Sequence, residues 1–319
     1  MKAIVFDSTS QAARLEVDRP VPVPAPGEVR LRVLLAGICN TDLEVLRGYA
    51  QFQGVMGHEF VGIVDQAEDP ALVGQRVAAE INLPCLACET CRAGRYSLCP
   101  HRTALGIRGR DGALADYVCV PARNLHPLPD ALPDEAAVFV EPLAAACEIL
   151  EQVPIRPTDR VIVLGDGKLG LLIAQVLALT GCALTVVGRH REKLDLLAAR
   201  GIATQLADRE LAQKADLVVE CTGRAEGFGQ ARQMVRAGGT LILKSTYHGT
   251  VDVDLSGLVV DEIHLVGSRC GPFPAAIRLL SQGLVDVAPL IEAVYCLDEG
   301  LAALEHAGRK GALKVLVRP

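Results

Sequence analysis

Residues 160–170, RVIVLGDGKLG, constrain the chain more than any other stretch: an apolar run ends in Gly165, Gly167 and Gly170 and opens at once into the apolar segment 169–179. Strand, glycine turn and helix in that order begin a nucleotide-binding βαβ unit. Gly165 permits the tight turn, Gly167 lets backbone approach a pyrophosphate, and Gly170 allows the helix to pack closely on the strand. Lys168 and Leu169 open that helix, whose free amides and positive partial charge suit a phosphate. The alternative is a structural glycine turn that holds no ligand.

The texture continues as strand (183–187), helix (191–199) and strands at 217–220, 240–243 and 263–266, with Gly181 and Gly201 at helix stops. This alternation predicts a doubly wound parallel sheet, an α/β fold. Before it, short β-branched runs at 29–35, 61–64, 76–79 and 115–120 are broken by Pro and Gly and predict an irregular β domain. Pro22, Pro24 and Pro26 fix φ and remove amide donors, so residues 21–27 should form an extended surface connection. The tail, with helices around 275–281 and 299–307 and a strand at 314–317, is expected to rejoin the first domain. A chain of 319 residues exceeds the usual single core, which fits two domains.

A site for NAD normally carries Asp or Glu about 20 residues past the glycines, at the end of the second strand, to hold the ribose 2′-hydroxyl. Here Gly188 stands in that place, followed by Arg189, His190 and Arg191, with Lys193 one turn on. Room and positive charge suit a 2′-phosphate, so NADP is favoured over NAD. The alternative is that Arg189 stacks on adenine or faces solvent.

Cys85, Cys88, Cys91 and Cys99 form CxxCxxCx7C inside a loop containing Pro and Gly. Four thiolates so spaced close a tetrahedral Zn²⁺ shell, which makes the site structural. Unligated thiols, an iron–sulfur cluster and a nucleic-acid-reading zinc ribbon are the alternatives. A second set is scattered: Cys39 in GICNTD, His58 and Glu59 in GHE, and Glu141 in FVEP. One by one these are a core thiol, a satisfied histidine and a helix start. Together Cys39, His58 and Glu141 make three ligands and leave a fourth position, as catalytic zinc requires. Zinc as a Lewis acid would let an alcohol ionise near neutrality, and hydride leaves more readily from an alkoxide. Thr41 would pass the substrate proton outward, or simply bond its own turn; Asp42 would hold the second nitrogen of His58, or cap a helix.

A net charge of −6 and a pI near 5.7 argue against nucleic acid as partner and for a small molecule. The longest apolar candidate, 169–179, is interrupted by Gln175 and falls short of the about 20 residues a bilayer needs, so no membrane span is expected. Residues 1–7 alternate like a strand and show no secretory pattern, and eleven cysteines then suggest metal ligands and thiols of a reducing compartment, the cytoplasm.

The order GICNTD, GHEFVGIV, four-cysteine lobe, VEPLA and VLGDGKLG resembles the zinc-dependent alcohol dehydrogenases of the medium-chain dehydrogenase/reductase superfamily over essentially the whole chain. The glutamate in VEPLA is similar to the sorbitol, threonine and glucose dehydrogenase branch. The resemblance implies a GroES-like catalytic domain over 1–145 with 270–319, a Rossmann domain over 146–269, one catalytic and one structural zinc, and a homodimer or homotetramer. It assigns Cys39, His58 and Glu141 to the catalytic zinc, Thr41 to the hydroxyl relay, and Glu59 to a place beside the metal from which it exchanges onto it. Glu44 stands where relatives often carry the histidine that ends the relay, and Glu148 where they often carry another histidine. Arg269 resembles an arginine facing cofactor or substrate. The chain is shorter than most relatives, so loops around the cleft or cysteine lobe are expected to be trimmed. The implied reaction is reversible oxidation of a secondary alcohol or polyol. A zinc-independent enone or quinone reductase of the same fold, and a non-catalytic NADPH or zinc sensor, are the competing readings.

Overall fold

The computed structural model describes residues 1–209, 213–246 and 250–319. The chain divides into two compact units, Met1–Glu141 with Ala276–Gln282 and Leu290–Pro319, and Pro142–Ala275 with Gly283–Pro289.

The first unit is built on strand β1 (Glu28–Gly37), in which Val29, Leu31, Val33 and Leu35 recur at every second position and are all buried. That period of two turns one face of the strand to the core. Helix α1 (Asn40–Val45) follows, and strand β2 (Glu59–Gln66) returns antiparallel to β1, with Ala36 opposite Phe60 and Gly37 opposite Glu59. Strands β3 (Arg76–Ala79), β4 (Tyr117–Pro121) and β5 (Leu125–Pro127) extend the sheet. Helix α2 (Val140–Gln152) then leads out of the unit.

The second unit is a parallel sheet. Strand β6 (Arg160–Leu164), helix α3 (Lys168–Ala178), strand β7 (Ala183–Gly188), helix α4 (Arg191–Ala198) and strands β8 (Ala203–Leu206) and β9 (Ala215–Glu220) come first. Helix α5 (Glu226–Met234), strand β10 (Val235–Leu243), helix α6 (Leu255–Val260) and strand β11 (His264–Gly267) complete it. The order β8-β7-β6-β9-β10-β11 reverses direction beside β6, the crevice where doubly wound sheets bind nucleotides. Ile162, Leu164, Val187, Val218 and Leu241 form its buried core. Each such side chain contributes about 1.5–3 kcal/mol when taken out of water, which roots the sheet in its central strands.

After helix α7 (Phe273–Ser281), strand β12 (Ile291–Cys296), helix α8 (Gly300–Ala307) and strand β13 (Lys314–Arg318) bring the tail back to the first sheet. Its order is β5-β3-β2-β1-β13-β12, with β4 also on β1. Residues 283–289, expected with the first domain, cluster with the second. The cause is Gln175, the polar residue inside α3: its amide donates to Asp286 O (3.0 Å) and its Oε1 accepts from Asp286 N (2.8 Å).

Candidate functional site

In the cysteine lobe, Cys88 precedes the short helix Glu89–Arg92, and all four expected sulfurs converge. The Sγ separations are 3.5 Å (Cys88–Cys91), 3.6 Å (Cys85–Cys99), 3.8 Å (Cys88–Cys99) and 4.0 Å (Cys85–Cys91). A tetrahedron with Zn–S bonds of ≈ 2.3 Å has edges of about 3.8 Å, so the donor set fits zinc without rearrangement. The amides of Ala87 and Cys88 pull the Cys85 thiol down to about 6, a thiolate at neutral pH. Burial and the neighbouring sulfurs push Cys91 up to about 12, so closing the shell on a metal must displace its proton.

The second set is assembled by strand register. Because Gly37 lies opposite Glu59, the residue two beyond β1, Cys39, meets Glu59, which opens β2, and His58 just before it. Their ligand atoms lie within 4.8 Å of one another. Gly37 has no side chain for good reason: a Cβ there would stand 2.7 Å from Glu59 Oε2. Asp42 in α1 ties the assembly, accepting from Cys39 N (2.8 Å) and Gly57 N (3.2 Å). His58 Nδ1 is 3.3 Å from Asp42 Oδ1 but poorly aligned for a hydrogen bond. Burial opposes protonation of His58, yet the charges of Asp42 and Cys39 outweigh it and hold its pKa well above the usual value. The Thr41 hydroxyl accepts from the Cys39 thiol at 3.7 Å, and Glu44 is engaged by Arg47 at 2.6 Å.

Sequence reading missed Lys314. It opens β13, where Ile38 N bonds Val315 O at 3.0 Å and Gly37 pairs with Leu316, and its ammonium donates to Glu59 Oε2. Burial lowers the affinity of Lys314 for its proton, but Glu59, Cys39 and Glu141 more than restore it. The other Glu59 oxygen, Oε1, is buried and has no hydrogen-bond partner among the described residues. An orphaned buried carboxylate oxygen beside a thiol and an imidazole is what a divalent cation would satisfy. Glu141, expected as the third ligand, sits in the first turn of α2 and acts on the same ammonium, but it is not one of the groups within 4.8 Å.

In the second unit the glycine turn has the expected steric logic. Gly165 takes φ +130° with its backbone against Cys221, and a Cβ at Gly170 would lie 2.1 Å from Gly165 O. A Cβ at Gly167 would meet nothing within 4 Å, so backbone is bared there for a ligand at the start of α3. Lys168 and Leu169 are half-buried in its first turn. Gly188 ends β7 beside exposed Arg189 and half-buried His190. Lys193, expected to offer charge at the same turn, is instead buried in α4 at 5% exposure. Exposed Arg191 pairs with Asp195 at 3.0 Å.

Two more residues escaped sequence reading. Asp166, the variable position between the glycines, accepts from the amides of Arg189 and His190 at 2.6 Å each. Lys244, just past β10, donates to Ala145 O (2.6 Å), Ser268 Oγ (3.1 Å) and Arg269 O (3.0 Å). The last of these bonds holds the backbone carbonyl of exposed Arg269, and no pattern in the sequence announces it.

Comparison with known proteins identifies the family of both parts of the chain. Residues 25–130 match the family "Alcohol dehydrogenase GroES-like domain", and residues 169–282 match "Zinc-binding dehydrogenase". A sorbitol dehydrogenase of Halalkalibacterium halodurans is 31% identical, covering 100% of this chain and 99% of the relative. Among solved structures, an alcohol dehydrogenase (rspB) of Escherichia coli CFT073 complexed with NADH superposes with a TM-score of 0.91 at 28% identity, covering 100% of this chain and 99% of its own. A zinc-binding dehydrogenase from Sinorhizobium meliloti 1021 bound to NADP gives 0.88 at 28% identity, with the same coverage.

Proposed function

The chain belongs to the zinc-binding dehydrogenase family with a GroES-like alcohol dehydrogenase domain, and on that footing we propose that it reversibly oxidises a secondary alcohol or polyol with NADP⁺, using zinc held by Cys39, His58 and Glu141. It is a zinc-type, nicotinamide-linked oxidoreductase. The observation that carries the finer reading is the meeting of Cys39, His58 and Glu59 at one buried spot with Glu59 Oε1 left unsatisfied.

When bound there, zinc supplies Lewis acidity that lowers the pKa of an alcohol beside it, and the nicotinamide supplies the hydride acceptor. The chain's own residues do the rest. Asp42 orients His58, Thr41 takes the hydroxyl proton and hands it outward, and Lys314 holds Glu59 beside Cys39 and His58, where its second oxygen would be available to a metal. Glu141 completes the set; its action on the ammonium that holds Glu59 supports placing it by the same pocket. Cys85, Cys88, Cys91 and Cys99 hold the second, structural zinc.

NADP is favoured over NAD because β7 ends in Gly188 without a side-chain acid, and Arg189 beside it is exposed. Self-association as a dimer or tetramer is supported by β11, which ends the parallel sheet with exposed Leu265, near exposed Leu255, Val259 and Val260. No helix among the described residues is long and apolar enough to cross a membrane. No two cysteines among the described residues form a disulfide, which suits the cytoplasm.

The test is a panel of polyols, secondary alcohols and amino-alcohols followed by NADPH absorbance, with zinc counted per chain. Turnover that stops when the metal is chelated and returns with zinc is expected. Cofactor bound without turnover of any substrate would favour a sensor, and enone reduction indifferent to chelation would favour a zinc-independent reductase.

A further inference from the structure

The glycine loop carries an acid that the dinucleotide reading leaves unused. Asp166 Oδ2 accepts from Arg189 N and His190 N at 2.6 Å each, and both carboxylate oxygens lie 3.1 Å from His190 Nδ1. The residue is only 7% exposed, so its side chain is a strut between the end of β6 and the end of β7. Its fit with Gly188 is reciprocal: a Cβ at 188 would stand 2.5 Å from Asp166 Oδ2 and 2.6 Å from its Cβ. A strand-end side chain and an aspartate on the glycine loop therefore exclude each other.

We infer that Asp166 is a positioning residue for the adenosine end of the cofactor, clamping the turn after β7 so that Arg189 and His190 are held ready for a 2′-phosphate. The inference rests on the NADP reading above and supplies its missing structural part. A lone carboxylate near a 2′-phosphate would normally repel it, and an aspartate that read the ribose hydroxyls would need lone pairs free to accept from them. Three groups already face Asp166, two short amide bonds on Oδ2 and the His190 imidazole across both oxygens, so most of its acceptor capacity goes to the turn that it joins. Burial would raise its pKa, but the bonds from His190 and Arg189 more than offset that and hold it below the usual carboxylate range. Its charge is thus spent inward on the turn it braces. Exposed Arg189 is left to meet an anion with its backbone already fixed, so binding has only its side chain to order.

The experiment titrates the zinc-loaded protein with NADPH and with NADH, following nicotinamide fluorescence, for wild type, Asp166→Ala, Asp166→Asn and Arg189→Ala. Asp166→Ala is expected to weaken NADPH about tenfold or more and NADH by less than about threefold, lowering the NADPH preference as Arg189→Ala does. Asp166→Asn keeps the shape and one acceptor, so it should recover most of the NADPH affinity; it also carries the test if Asp166→Ala does not fold. Equal losses for both cofactors, a larger loss for NADH, tighter NADPH binding, or no change would each overturn the clamp. A wild type that binds NADH more tightly would overturn the NADP reading by itself, while the ratio of the two losses in Asp166→Ala would still decide the clamp.

Discussion

Lys314 donates its ammonium to Glu59 Oε2 inside the first sheet, and the two side chains are 2% and 1% exposed. The pair is fixed by two register choices, β1 against β2 and β1 against β13, and the Lys314 ammonium lies 5.7 Å from the centre of the Phe139 ring. The site's geometry is therefore part of the core of its unit.

Breaking this pair should be costly. Lys314→Met leaves the Glu59 carboxylate buried without its cation, and denaturant unfolding should show a loss of about 3–5 kcal/mol. Adding Glu59→Gln should recover part of it, because the uncompensated charge is then gone. A loss under about 1 kcal/mol in the single variant would mean that Glu59 finds other compensation.

The cysteine lobe should titrate metal independently of the first site. Cys88→Ser removes a sulfur 3.5 Å from Cys91 and 3.8 Å from Cys99, so the variant should carry one zinc fewer per chain and unfold at lower temperature. Wild-type zinc content in Cys88→Ser would contradict a four-sulfur shell.

Two glycines three residues apart should behave oppositely. Gly170→Ala forces a methyl to within 2.1 Å of Gly165 O, and a destabilisation of about 1–3 kcal/mol is expected by thermal melting. Gly167 has φ −76° and open space around its would-be Cβ, so Gly167→Ala should leave the melting temperature unchanged. The methyl should still raise the NADPH dissociation constant about tenfold by blocking backbone approach. Unchanged affinity in Gly167→Ala would place the pyrophosphate elsewhere.

Much of the fold was legible because each element's period is strong. The alternation in β1, the apolar runs of β6 and β7 and the glycine stops gave strands and helices in the right places. Strands β5, β8 and β12 and helices α5 and α6 were not anticipated: α6 keeps Leu255, Val259 and Val260 exposed, so no buried face marks it. The four-cysteine lobe is legible from its spacing alone, whereas Cys39 and His58 are scattered and gain a shared role only jointly with Glu141, and Glu59 gains its role from the family resemblance. Lys314 could not be named, because a lysine at the start of a strand reads as a solvated end until the register places it opposite a buried acid. Lys193 failed in the reverse sense, since a basic residue one turn into α4 reads as surface charge and is buried instead. Asp166 occupies a position that the glycine pattern leaves open, and its meaning appears only where β6 and β7 end side by side.

Whether Cys39 and His58 hold a catalytic metal is decided by measuring zinc per chain and kcat together in wild type and Cys39→Ser. Two zinc ions in the wild type are expected, and one in the variant, with kcat down by about a thousandfold while the melting temperature and NADPH binding persist. Full zinc content and full turnover in Cys39→Ser would contradict a metal held there.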